Sequence, residues 1–364
     1  MGRWKRTGWW ILWLLLAFVA TVVWSVTVGP VSIDPLTVCK ILLNAIGIPT
    51  SIGVHSTSVG GTALSVPGID LGFVHPFSFA VSQSDRVIVT RIRLPRIALA
   101  ATVGFGLATA GTVMQGLFRN PMADPSIIGV SSGAAVGAVA MLVLPIALPF
   151  GVPLIAFLGA IVTAFGVYLL ASSDGRTPVA TLLLAGVAVQ TFLGAVVSYL
   201  LLHAGESVET VLHWLMGDLA AATWSDVVVA AIGSGTAFCV LVGYSRDLNV
   251  LLLGEEQAIT LGIDVERTKQ VLLGLASLAT AAAVAVAGVI GFVGLIVPHM
   301  LRLVVGPDHR ILLPTSALSG AIFLVATDTL ARSGPAQLPV GIVTAALGAP
   351  FFLYLLRNRE VHQL

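Results

Sequence analysis

Residues 116–133 read GLFRNPMADPSIIGVSSG, an Arg-Asn-Pro turn and an Asp-Pro set between two apolar runs. Proline has no backbone N–H to donate and its ring clashes with the preceding turn, so Pro121 and Pro125 stop a helix here. A membrane anchor needs nothing so particular; a gate, or a seat for another protein, does. The flanks read as closely packed helices. After the turn, Gly129, Gly133 and Gly137 recur every fourth residue, a small stripe that lets helix backbones approach in lipid. Before it, GFGLATAG sets Gly104, Ala108 and Gly111 in a similar row.

The rest of the chain is equally apolar. Of 364 residues 57% are hydrophobic and 10% charged, with mean hydropathy +1.01. Soluble domains carry about 25% charged residues, so the fold class is an all-α polytopic membrane protein whose lasting environment is lipid. A net charge of +1 gives no pull toward nucleic acid, and no such partner is expected. Cys39 and Cys239 lie far apart and solitary, which excludes a disulfide framework and cysteine metal spacing.

A span needs roughly 20 apolar residues, and unpaired backbone forces it to be helical. Ten segments qualify: 9–28, 97–116, 126–145, 153–171, 180–202, 226–244, 270–288, 290–304, 311–330 and 340–356. The first has the basic start of a leader, but it is long enough to span and is read as the first helix. An even count puts both ends on one side. Twelve of the eighteen Lys and Arg then share that side, Arg3 and Arg359 included, and both termini read as cytoplasmic. The exceptions cluster between Arg86 and Arg96, with Arg332 and Lys40 apart from them. Residues 29–92 form a long external segment without a helical period. Residues 245–269, SRDLNVLLLGEEQAITLGIDVERTK, place leucines among charges and are broken by Gly254 and Gly262. They read as two short amphipathic helices on the cytoplasmic face.

No G-x-x-x-x-G-K-[ST] occurs, so the chain binds no ATP through a P-loop of its own. G-x-S-x-G, H-E-x-x-H and Cys/His clusters are also absent from the sequence, which leaves no catalytic or metal residue to name. Ion-coupled carriers need acids inside their spans, and only Asp328 qualifies; Arg332, four residues on, reads as its ion-pair partner. His203, His213 and His299 fall near span ends as interfacial histidines. Two classes stay open: a transport subunit powered by a separate ATPase docked at 245–269, or an ion-coupled secondary transporter. The scarcity of buried acids favours the first.

Four blocks carry a family resemblance: RLPRIALAATVGFGLATAGTVMQGLFRNPMADPSIIGVSSGAAVG, LLLAGVAVQ, GVIGFVGLIVPHMLRLVVGPDHRILLPTSALSGA and LPVGIVTAALGAPFFLYLL. In this order they resemble the FecCD family, permeases of ABC importers for vitamin B12, haem and iron-siderophores. The similarity runs from about residue 85 to the C-terminus, while residues 29–84 match nothing placed. The resemblance implies one permease domain of ten helices over 1–364, of type II importer fold. It also implies a second copy of the chain, two cytoplasmic ATPase subunits and one extracytoplasmic binding protein. ATP and Mg would be bound by the ATPases, with no cofactor in this chain. Asn120, Pro121 and Met122 match the family's cytoplasmic constriction, where Met replaces Leu. Val179 and Ala180, with Thr181 adjacent, fall where B12-type relatives build a second constriction of small hydroxyl residues, a pattern from which Val and Ala depart. Gly254, Glu255, Glu256, Ala258 and Leu261 match the segment that couples to the ATPase. Arg93, Arg96 and Arg332 match arginines that dock the binding protein. The implied cargo is a large metal chelate, cobalamin first, with haem or a siderophore as the alternative.

Overall fold

The computed structural model describes residues 3–58, 65–74, 76–145, 151–173, 175–334 and 336–357. Arg359 lies outside them. The chain begins with α1 (Arg3–Thr27) and α2 (Pro35–Asn44), followed by strands β1 (Ile48–Ser58) and β2 (Ser65–Val74). Next, α3 (Gln83–Val87), a π-helical turn (Ile88–Arg93) and α4 (Leu94–Leu117) run as one continuous helical stretch. A 3-10 turn at Pro125–Ile128 leads to α5 (Val130–Val143), α6 (Gly151–Ala171), α7 (Val179–Leu202), α8 (Val208–Leu215) and α9 (Trp224–Gly243). Two short helices, α10 (Ser245–Leu251) and α11 (Glu255–Thr260), precede α12 (Val265–Ala287), α13 (Val293–Val305), α14 (His309–Ala331) and α15 (Val340–Arg357).

Among the described residues, seven helical stretches are long and apolar enough to cross a bilayer, and α2, α5, α13 and α15 are apolar but shorter. Two of the segments start later than their hydropathy suggests. Residues 126–129 turn instead of joining α5, because Gly129 sits at φ 83° in the left-handed region that glycine tolerates. Residues 288–292 separate α12 from α13, with both Gly288 and Phe292 at φ 70°.

The expectation of an all-α chain needs one correction. Within residues 29–92, β1 and β2 pair antiparallel from Ile48↔Val74 to Ser58↔Ser65, with an irregular register between Pro49 and Ser51. A strand has a side-chain period of two, so a search for helical period alone passes over it.

The helices at the centre are α4, α12 and α14, whose most apolar windows are 78%, 67% and 67% buried; α1 and α7, at 11%, lie at the periphery. Small residues permit this. A Cβ added at Gly104 would collide with the Gly320 carbonyl, and one at Gly111 with that of Gly294, so α4 touches α14 and α13 backbone to backbone. Gly133 and Gly137 likewise leave no room against α6, beside Gly159 and Ile155. Hydroxyls inside the spans bond back to their own helix, as Thr112 does to the Ala108 carbonyl (2.8 Å) and Thr280 to Ala276 (2.8 Å). These two hydroxyls are thereby paired where water is absent.

Candidate functional site

The turn after α4 is shaped by its own side chains. Phe118 caps the helix, and Arg119 follows in the left-handed region at φ 48°. The Asn120 amide still donates to the Gln115 carbonyl (3.1 Å), while its side-chain Oδ1 accepts from the Met122 amide (2.9 Å). Asp124 then accepts from the Ser126 amide (2.8 Å) and hydroxyl (2.5 Å). Burial pushes the Asp124 carboxyl above its usual range, against the Ser126 bonds that lower it. Pro121 is buried, Met122 half-buried and Asn120 exposed. Gln190 on α7 donates to the Ile127 carbonyl (2.6 Å), so the turn is also anchored to α7. Val179, Ala180 and Thr181 form the first turn of that helix, Val179 half-buried and the other two exposed.

Residues 245–269 fold against this turn. Leu248 and Leu251 of α10 are buried, each contributing about 1.5–3 kcal/mol of apolar burial. Asn249 ties α10 to the start of α14: its Nδ2 donates to Asp308 (2.7 Å), and its Oδ1 accepts from the His309 amide (2.9 Å). Gly254 and Ala258 face inward, whereas Leu253, Ile259 and Leu261 are each more than 60% exposed. Three large apolar side chains therefore stand in the open on this segment, where Glu256 is also exposed. A Cβ on Gly254 would lie 3.8 Å from Arg119 Nη1, so the turn after α4 and this segment are neighbours.

Lys269 was visible in the sequence only as one more charge, yet it is 4% exposed. Its ammonium meets Glu255 Oε1 (2.8 Å), Glu266 Oε1 (3.1 Å) and the Thr177 carbonyl (3.3 Å). Glu266 Oε2 in turn accepts from the Thr177 amide (3.1 Å).

At the opposite end of α4 the three arginines meet, and all are turned inward. Arg96 binds Asp328 with Nε at 2.9 Å and 3.1 Å and Nη2 at 2.8 Å; Arg332 adds an ion contact to Asp328 at 3.4 Å. Arg332 also donates to the carbonyls of Ser25 (2.5 Å) and Val28 (2.7 Å). Arg93 donates to the carbonyls of Val26 (2.6 Å) and Val31. Two of these four carbonyls, those of Ser25 and Val26, belong to the last turn of α1, which no helical amide can satisfy; two arginines cap it. The breach of the positive-inside pattern thus has an internal use. None of the three offers a free guanidinium at the surface, being 3–6% exposed.

His203 bonds the Tyr199 carbonyl of its own helix (3.0 Å), and His213 lies 3.6 Å from Asp218. No group of three or more His, Cys, Asp or Glu that could hold a metal ion occurs among the described residues.

Seven helical stretches long and apolar enough to cross a bilayer, among the described residues, make this a multi-pass membrane protein. The chain belongs to the FecCD transport family, which matches residues 14–358. It is 54% identical over 350 residues to the cobalamin import system permease protein BtuC of Halobacterium salinarum, covering 95% of each chain. With the hemin transport system permease protein HmuU of Yersinia pestis it shares 46% identity over 282 residues, 74% of this chain and 83% of that one. Among solved structures it resembles an inward-facing metal-chelate type ABC transporter, with TM-score 0.76 and 29% identity over 96% of this chain and 98% of that one.

Proposed function

We propose that this chain is the transmembrane subunit of a binding-protein-dependent ABC importer and that its cargo is cobalamin. The observation that carries the reading is 54% identity to a cobalamin permease across 95% of both chains, a likeness that includes the segments lying outside the shared signature blocks. Two copies would enclose the pathway, each with ten spans, α5, α13 and α15 being the short ones, and with both termini cytoplasmic. The nearly bare face of α7, with Leu184, Val187 and Phe192 exposed, suits burial against a second copy. The Asn120–Met122 turn narrows the pathway, with the first turn of α7 beyond it. Two ATPase subunits, which bind ATP and Mg, seat on α10 and α11. The binding protein seats at the end that holds Arg93, Arg96 and Arg332; these stiffen that face from beneath and do not present free charges to it.

Proteoliposomes test this. Uptake of cobalamin is expected only when permease, ATPase, binding protein and ATP are all present. ATP-driven uptake of haem or ferric chelates with cobalamin refused would replace the cargo and keep the class. Accumulation by the permease alone on a proton or sodium gradient would overturn the class and restore the secondary transporter. Against that reading stands Asp328, the acid most suited to an ion cycle, held by two arginines.

A further inference from the structure

We infer that Lys269 is the positioning residue through which motion of α11 reaches the first turn of α7; this rests on the ABC reading above. An ammonium has three N–H donors and no acceptor, and Lys269 presents them to three oxygens that belong to three different elements. Glu266 lies on α12 itself, Glu255 opens α11, and Thr177 sits in the loop between α6 and α7. The Thr177 peptide is gripped from both sides, its carbonyl by Lys269 and its amide by Glu266. Its hydroxyl is held as well, by Ser172 at 2.9 Å. One residue later Pro178 caps α7, and Val179, Ala180 and Thr181 are that helix's first three residues. A displacement of Thr177 therefore has no slack to take it up before it reaches α7.

The two ends of the link differ in firmness. Lys269 and Thr177 are 4% and 2% exposed, and α12 behind them is part of the central core. The Glu255 side chain is 39% exposed, on a helix of six residues whose Ile259 is exposed, as is Leu261 just beyond it. A partner pressing on α11 moves Glu255 first. Since Lys269 cannot leave its apolar surroundings unpaired without a large cost, its ammonium follows the carboxylate or closes on Glu266 and Thr177. Either response changes the grip on the loop before α7. The other half of the segment is held differently, by Asn249 to α14, so the cluster at Lys269 is the route toward α7.

The test uses the assembled transporter with Cys39 and Cys239, both exposed, replaced by serine. A single spin label goes at Thr260 on α11 or at Thr181 on α7, and its distance to the same label in the second copy is read with and without ATP. In the parent protein both distances are expected to change on ATP binding. In Lys269→Met the Thr260 distance should still change while the Thr181 distance no longer follows. Uptake per ATP hydrolysed should fall about tenfold, within the range common for coupling between sites. Lys269→Arg should restore part of both, and Glu255→Gln, which leaves the grip on Thr177 intact, should reproduce the loss. A Thr181 distance that still follows ATP in Lys269→Met overturns the inference and leaves the ABC reading standing. An absence of any ATP response in the parent protein overturns both.

Discussion

At the N-terminal end of α4, Asp328 is enclosed by Arg96 and Arg332, and every charged group of that cluster is buried. Near its C-terminal end Lys269 is buried too, but the carboxylates around it, Glu255 and Glu266, reach the surface at 39% and 28% exposure. The first cluster is closed: Arg332 gives its spare donors to the carbonyls of Ser25 and Val28 and Arg96 to Gln337, and its acid lies on α14, which meets α4 backbone to backbone at Gly104 and Gly320. The second is open: it spans a short peripheral helix, a core helix and a loop. Buried, fully enclosed charges hold a structure in one arrangement, because breaking the set strands an uncompensated ion. Pairs with one partner in water can exchange at small cost. On this contrast the arginine cluster is a clamp and the lysine cluster a joint.

The largest effect should come from opening the clamp. Asp328→Asn keeps the size of the side chain but leaves Arg96 and Arg332 without their carboxylate. Loss of about 3–5 kcal/mol of stability is expected, read as early thermal unfolding of the purified permease in detergent. A variant as stable as the parent would show that the two guanidiniums find water or lipid, and the clamp would be no more than a surface pair.

How much of this could be read beforehand differs between the clusters. Asp328 and Arg332 sit four residues apart on one helix, so their pairing was legible from spacing alone. The arginines at 86–96 were conspicuous because, in the orientation read from the sequence, they break the charge bias of the loops. Their use was not legible: the groups they bind are backbone carbonyls of residues 25–31 and a carboxylate more than two hundred positions away, and backbone acceptors leave no mark in a sequence. Lys269 was hidden for a similar reason. It lies in a run of charges, VERTK, that looks solvated, and only the fold brings Thr177 and Glu255 over it. The long spans were legible because an apolar stretch of that length has one solution in lipid. The strand pair 48–58 and 65–74 was missed, its signal being a period of two in a segment searched for helix.

An intermediate effect should follow from a wedge placed behind the clamp. Gly104→Ala puts a methyl against the Gly320 carbonyl and Leu324, one turn from where α14 carries Asp328. Overpacking of this kind costs about 1–3 kcal/mol, again read by thermal unfolding. If the clamp is rigid, the double variant with Asp328→Asn should lose less than the two separate losses added together, since a loosened α14 can move off α4. Strict additivity would mean that the ion cluster and the helix contact hold independently.

The smallest effect on stability belongs to the joint. Glu255→Gln removes one carboxylate from Lys269 but leaves Glu266 and the Thr177 carbonyl in place, so the ammonium is not stranded. The lost contact is a partly exposed ion pair, worth less than about 1 kcal/mol. The difference from the parent should shrink further at high salt, because a group open to water is screened within about 8–10 Å at moderate ionic strength. Asp328→Asn should show no such salt dependence, its charges lying out of reach of ions. Thermal unfolding of both variants at low and high salt therefore separates the two clusters. A loss in Glu255→Gln as large as that in Asp328→Asn, and equally indifferent to salt, would make Lys269 a second clamp. A joint that is weak in stability yet necessary for transport is what a moving contact requires, because a connection that must rearrange in each cycle cannot be one the fold depends on.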